Sequence, residues 1–329
     1  MMLADLGARV VKIEPPGGDE TRGWGPPFQG GVSTYFLSAN RGKESAVLDL
    51  KRPYGRRALD RWIRRSDILI ENFRPSSAAR LGVDPARTRR VNPRLIHCAI
   101  SGYGRRGRWA EKPAYDLVIQ AESGAMLLNG DPAGPPMKIG VTIADVLAAH
   151  YAVQAVLAAR LSGGGATIEV SLLDSMIAGF THHAQSFLST GRVPARHGND
   201  HPSLYPYSVF RAADGDVAIA VANDAQWAGL CRALGFDAKR YPSNRDRVLG
   251  RQRLRRELAS KLSARPSGEL LRALQRRGVP SGRVQSLREA MGMASGLILR
   301  GRVASPIRVN GRRWTSKTPP MLGGSKADG

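Results

Sequence analysis

The sequence predicts an α/β protein built on a mostly parallel sheet and divided into about two domains. Three observations predict this. Short apolar, β-branched runs recur through the first half, and segments with helical apolar spacing separate them at the interval of βαβ crossovers. The chain, at 329 residues, is also longer than one small core requires.

Residues 8–13 (ARVVKI) form a run suited to a strand buried on both faces. Residues 45–50 (SAVLDL) alternate as a strand does, residues 54–64 carry apolar positions at helical spacing, and residues 67–71 (DILIE) return to strand. Asn92-Pro93 ends a polar turn, and residues 95–100 (LIHCAI) form the next apolar strand. The strongest helix spans residues 144–161, with 146–161 read as a core helix and Thr142 as its N-cap. Gly163-Gly164-Gly165 stops it and releases residues 167–172 (TIEVSL) as a strand. One helix follows over residues 174–188. Residues 191–206, rich in Gly, Pro, His and Asn, read as a connection between domains. Residues 209–222 read as a hairpin around Asp214-Gly215, residues 226–276 as helical and basic, and the segment after Gly301 as strand-like with a polar end.

Composition excludes several function classes. No run reaches the roughly 18 to 20 apolar residues of a membrane helix, so no membrane span is expected. The start, MMLADLG, has no basic region leading into an apolar run, so no secretory signal is expected. Cys98 and Cys231 lie far apart, which argues against a disulfide framework and fits a cytoplasmic protein. The net charge of +23 would suit phosphate neutralisation on nucleic acid. The basic residues are scattered, however, and no nucleic-acid module accompanies them. We read them as a solvated arginine-rich surface, part of which attracts an anionic ligand, and expect no nucleic-acid partner.

Gly102, Gly104 and Gly107 match the G-x-G-x-x-G spacing, but residues 108–113 (RWAEKP) do not open the helix that a dinucleotide site needs. A loop is the better reading. His197, Asp200 and His201 sit in turn-forming composition, so no metal site is expected. Cys98 lies in an apolar strand and reads as buried. Thr142-x-x-Asp145 reads in one way as a capping-box variant. In another, the helix start keeps the Asp145 carboxylate ionised and exposed beside the Ile139-Gly140-Val141 turn, where it could attack a thioester. Sequence permits both.

Several segments in order resemble the family III CoA-transferases, a group that includes formyl-CoA and carnitine CoA-transferases and α-methylacyl-CoA racemases. They are LADLGARVVKIEPPGGDETRGWGPPF, YFLSANRGKESAVLDLK, ILIENFRPSSAARLG, NPRLIHCAISGYGRRG, PAYDLVIQAESG, IGVTIADVLAAHYAVQAVLAAR, EVSLLDS, HGNDHPSLYPYSVFRAADGDVAIA and GVPSGRVQSL, and together they span nearly the whole chain. The resemblance implies a large Rossmann-like domain (1–190), a linker (191–206), a smaller inserted α+β domain (207–300) and a return segment (301–329). It also implies an interlocked homodimer. The family's nucleophile falls on Asp145, with Gly140 in the adjoining turn. Its CoA contacts fall on Leu48, Lys51, Asn72, Phe73 and Arg80. Lys51 and Arg80 suit CoA phosphates, through charge-assisted hydrogen bonds worth about 1.5 to 3 kcal/mol each. The racemase branch carries a histidine where this chain has Tyr115, next to Asp116. Tyrosine is a poor proton carrier near neutrality, so CoA transfer is favoured over racemisation. Acyl-CoA and carboxylic acids are the expected substrates, with no metal or redox cofactor. A racemase and a non-catalytic CoA-binding homologue are the alternatives. The family also has a strand and a glycine/alanine-rich turn ahead of LADLGA, and on this resemblance one sheet position is expected to be empty.

Overall fold

The computed structural model describes residues 1–299, 301–313 and 320–323. Part of the 301–329 return segment, residues 314–319 and 324–329, lies outside the described residues. The chain divides into two compact units. The first comprises Met1–Ser123, Ile139–Gly191 and Gly296–Gly329, and the second Gly124–Lys138 and Arg192–Ser295.

The first unit alternates strand and helix: β1 (Val10–Glu14), α1 (Thr34–Asn40), β2 (Lys43–Val47), α2 (Pro53–Arg64), β3 (Ile68–Glu71), α3 (Pro75–Leu81), α4 (Pro85–Val91) and β4 (Ile96–Ser101). After a long loop come α5 (Asp116–Glu122), α6 (Ile143–Leu161), β5 (Thr167–Ser171), α7 (Leu172–Gly179) and α8 (His182–Thr190). All pairings among these strands are parallel, but they form two ladders, β1–β2 and β3–β4–β5. The register sets Ile70, Cys98 and Ile168 side by side across the second ladder. One apolar cluster ties the ladders together: Ile13, Leu48 and Leu69 pack against buried Leu59, Ile63 and Val83.

 Leu95 and Ala78, both fully buried, complete that cluster.

Two expectations for this unit are corrected. Residues 174–188 are two helices, α7 and α8, because Thr181 takes a positive φ of 45° at the break. Helix α6 is also not buried all round. It sinks only the stripe Ala144, Ala148, Ala152 and Val156, at a four-residue repeat, and leaves Val146, Tyr151, Leu157 and Leu161 exposed. The small side chains let α6 lie close over β4 and β5. Because α6 runs back across the ladder before β5 begins, its N-terminus lies at the edge where the parallel strands end.

The second unit contains the antiparallel sheet formed by β6 (Tyr207–Ala212), β7 (Gly215–Ala220) and β8 (Ser281–Arg283), with β7 in the centre. The β6–β7 turn falls at Asp214, whose carboxylate accepts hydrogen bonds from the Ser267 amide (2.6 Å) and hydroxyl (3.0 Å). Helices α9 (Asp224–Leu234), α10 (Asn244–Leu249), α11 (Arg251–Ser263) and α12 (Ser267–Gln275) belong to this unit, and its core includes Trp227, Leu230, Leu254, Leu258 and Leu270. Residues 124–138, read from sequence as part of the large domain, group here; Arg196 Nη1 donates to the Pro135 carbonyl at 2.6 Å.

Candidate active site

The site is built where the parallel strands end, the edge at which open α/β sheets bind ligands. Leu48 and Lys51 follow β2, and Asn72 and Phe73 follow β3. Leu48 continues the β1–β2 ladder by donating its amide to the Glu14 carbonyl at 2.9 Å, and its side chain joins the apolar cluster. Lys51 is exposed, with its amide held by Asp49 Oδ1 at 3.0 Å. Asn72 and Phe73 are exposed, and Arg80, on α3, meets only the Ser77 hydroxyl among the described residues, at 3.2 Å. The cationic ends of Lys51 and Arg80 are thus open to an anion.

Asp145 stands in the first turn of α6. The capping-box reading of Thr142 is corrected: Thr142 occupies the N-cap but makes no side-chain cap bond. A residue from another helix does this work. Asp116, buried at the start of α5, accepts the Ala144 amide on Oδ1 at 2.9 Å and the Gln120 side-chain amide on Oδ2 at 2.7 Å. Gln120 in turn donates to the Val141 carbonyl at 3.2 Å and accepts the Ile139 amide at 2.7 Å. The pair clamps both ends of the turn that carries Gly140. Among the described residues the amides of Gly140, Val141, Thr142 and Asp145 find no acceptor, whereas Ile143 donates to the Val141 carbonyl at 2.8 Å. Gly140 itself is exposed, and a methyl group there would meet nothing within 4 Å.

The helix start is expected to keep this carboxylate ionised, and its surroundings act in the opposite direction. Burial, and then the charge of Asp116, push the Asp145 carboxyl up to about 6 from 3.8. Solvent reaches the residue, which is exposed, and this limits the size of the effect but not its direction. Tyr35, on α1, senses the same charges: its phenol is raised by burial first and then by Asp145 and Asp116. Tyr115 is 65% exposed and is the N-cap of α5, without a side-chain cap bond. Sequence reasoning missed Gln120 and Tyr35. Gln120 carried a signal, because it lies four residues beyond Asp116 and so on the same helix face. Tyr35 carried none.

No helix follows Gly107 until α5, so the glycine spacing builds a loop and not a dinucleotide site. Asp200 is engaged by Arg255 at 2.8 Å and Arg251 at 3.7 Å, and no group of three or more metal-ligating side chains occurs among the described residues. Burial pushes the Cys98 thiol up to about 11, which suits a packing role.

Fold and site together define an α/β protein with a carboxylate at a helix start and cationic side chains beyond the ends of parallel strands. The chain belongs to CoA-transferase family III, whose family model matches residues 1–320. It is 40% identical over 303 residues to the succinate–glutarate CoA-transferase of Agrobacterium fabrum, covering 88% of this chain and 76% of that protein. It is 40% identical over 299 residues to the acetyl-CoA:oxalate CoA-transferase of Acetobacter aceti, covering 88% of this chain and 77% of that one. A crystal structure of a CAIB/BAIF family protein from Brucella suis superposes with a TM-score of 0.85 at 34% identity, covering 98% of this chain and 90% of that chain.

Proposed function

We propose that this enzyme moves CoA from an acyl-CoA donor to a carboxylic acid acceptor through a covalent intermediate on Asp145. The observation that carries this reading is the Asp145 carboxyl, solvent-accessible on the first turn of α6 and seated there by Asp116. Although pushed up to about 6, its carboxyl still ionises below neutral pH and is able to attack.

A carboxylate oxygen of Asp145 attacks the donor thioester carbonyl. The C–S bond breaks, leaving an aspartyl–acyl anhydride and CoA thiolate. The thiolate then attacks the aspartyl carbonyl of the anhydride, which releases the donor acid and leaves an aspartyl-CoA thioester. The acceptor carboxylate attacks that thioester, and the same two steps in reverse deliver acceptor-CoA and regenerate Asp145. The unpartnered amides of Gly140, Val141, Thr142 and Asp145 supply donors for the oxyanions. Lys51 and Arg80 meet the phosphates of CoA, and Leu48, Asn72 and Phe73 line its path. Asp116 orients the helix that bears the nucleophile, and Tyr115 borders it. The activities named for the relatives point to short dicarboxylates, such as succinate, glutarate or oxalate, as acids to try first.

The working form is an interlocked homodimer in the cytoplasm. Its support is the apolar surface that a lone chain leaves open: Leu157 and Leu161 on α6, and Phe187 and Leu188 on α8. Incubation with succinyl-CoA and hydroxylamine, followed by peptide mass spectrometry, should yield a hydroxamate at Asp145. Transfer by Asp145→Ala at the parental rate would overturn the mechanism. Solvent deuterium entering the α-carbon of the acyl-CoA would favour the racemase alternative.

A further inference from the structure

Glu71 closes β3 immediately before the Asn72–Phe73 loop and is 6% exposed. Its Oε2 accepts the Phe73 amide at 2.6 Å. Its Oε1 accepts Arg105 Nη1, also at 2.6 Å, from a guanidinium whose side chain is 8% exposed. His97, fully buried on β4, places Nε2 3.6 Å from the same oxygen while its Nδ1 meets the Thr88 hydroxyl at 2.7 Å. A second tie runs parallel to the first: Glu111 accepts the Ser76 amide at 2.8 Å and its hydroxyl at 2.6 Å. The loop after β3 is therefore fastened at two points to the 102–114 segment, which leads directly into Asp116. A solvated surface acid would not be enclosed in this way. A carboxylate with both oxygens engaged and almost no solvent access fixes the backbone on either side of it.

We propose that Glu71 is a positioning residue for acyl-CoA. It shapes the Asn72–Phe73 loop through the Phe73 amide and, through Arg105, locks that loop to the segment that delivers Asp116 to the nucleophile helix. The proposal rests on the reading that this loop holds CoA. Its chemistry is specific to a charged, two-oxygen acceptor. Glutamine in its place keeps one oxygen but turns an N–H group towards Arg105 or Phe73.

The test compares wild type, Glu71→Gln, Arg105→Gln and the double variant. Four quantities are read: KM for succinyl-CoA, kcat, calorimetric affinity for free CoA, and melting temperature. Expected for each single variant is about a tenfold rise in KM and in the CoA dissociation constant, equivalent to about 1.4 kcal/mol, with kcat held within about threefold. The double variant should bind no worse than either single one, because both remove the same link. Unchanged KM and CoA affinity in folded Glu71→Gln would overturn the proposal, as would additive losses in the double variant. So would a loss of kcat that tracks melting temperature with KM unmoved, which marks a structural role only. Should Glu71→Gln fail to fold, Arg105→Gln decides alone: tenfold weaker CoA binding supports the link, and unaltered binding overturns it. The functional reading fails separately, if wild type binds CoA but neither transfers it nor forms the Asp145 adduct. The calorimetric arm then still decides the role of Glu71.

Discussion

Asp116 acts on Asp145 in two ways that one substitution can separate. It caps the nucleophile helix by accepting the Ala144 amide, and its charge helps to raise the Asp145 carboxyl. Asp116→Asn keeps an oxygen for the Ala144 amide and removes the charge, giving up the bond from the Gln120 side chain. The Asp145 carboxyl stands at about 6 against an ordinary 3.8, and Asp116 is the lesser of the two causes after burial. Removing the charge should therefore lower the midpoint by less than half of that displacement, under about 1 pH unit, and solvent screening trims it further. The assay is single-turnover formation of the trapped adduct between about pH 4.5 and pH 8. In wild type the rate should climb through about pH 6 as the carboxylate ionises, and in Asp116→Asn the climb should begin at lower pH. Asp116→Ala, which also loses the cap, should cost about 1 kcal/mol of stability in addition. A midpoint that stays in place or moves upward in Asp116→Asn would refute the coupling between these carboxyls.

Asp145→Asn should abolish the adduct and raise the melting temperature at pH 8 relative to wild type. A folded carboxyl held at about 6 binds its proton more tightly than the unfolded group at 3.8, so stability falls as pH rises between them, and the variant should show no gain at pH 4. Although burial works against its ionisation, Arg22, Ser45 and the Asp19 amide hold Glu14 down at about 2. Glu14→Gln should cost about 3 to 5 kcal/mol in urea unfolding at pH 7. That difference should narrow as pH falls from 4.5 towards 2, where protonation removes the same stabilisation from wild type. Gly102→Ala would set a methyl group 2.3 Å from the Ala114 Cβ and should destabilise the fold by about 1 to 3 kcal/mol. By displacing the approach to Asp116, it should also slow adduct formation about tenfold; a rate within about twofold of wild type would show that the loop absorbs the methyl elsewhere.

Much of the parallel framework was legible because its signals are local. The runs VVKI, ILIE and IHCAI are β-branched and apolar over the length of a strand, and each forms one. The triple glycine ends α6 where expected, with positive φ at Gly163, Gly164 and Gly165. The break at Thr181 was not legible. A threonine there carries no glycine or proline signature, yet it takes a positive φ of 45°. The exposed side of α6 escaped for a similar reason: the helix is apolar nearly all round, so periodicity could not say which stripe meets the sheet.

For the site, the sequence by itself supplied candidates. Residue type and short-range spacing put a carboxylate, Asp145, at the start of a long helix, while the cations Lys51 and Arg80 and the acid beside Tyr115 came from the family resemblance. Only the tertiary structure decided that Asp116, 28 residues upstream of Ala144, replaces Thr142 as the cap and shifts the charge state of its neighbour. A cap can come from any oxygen that folding brings within 3 Å of a free amide, and burial and charge act through space. Neither distance is written in the order of the residues.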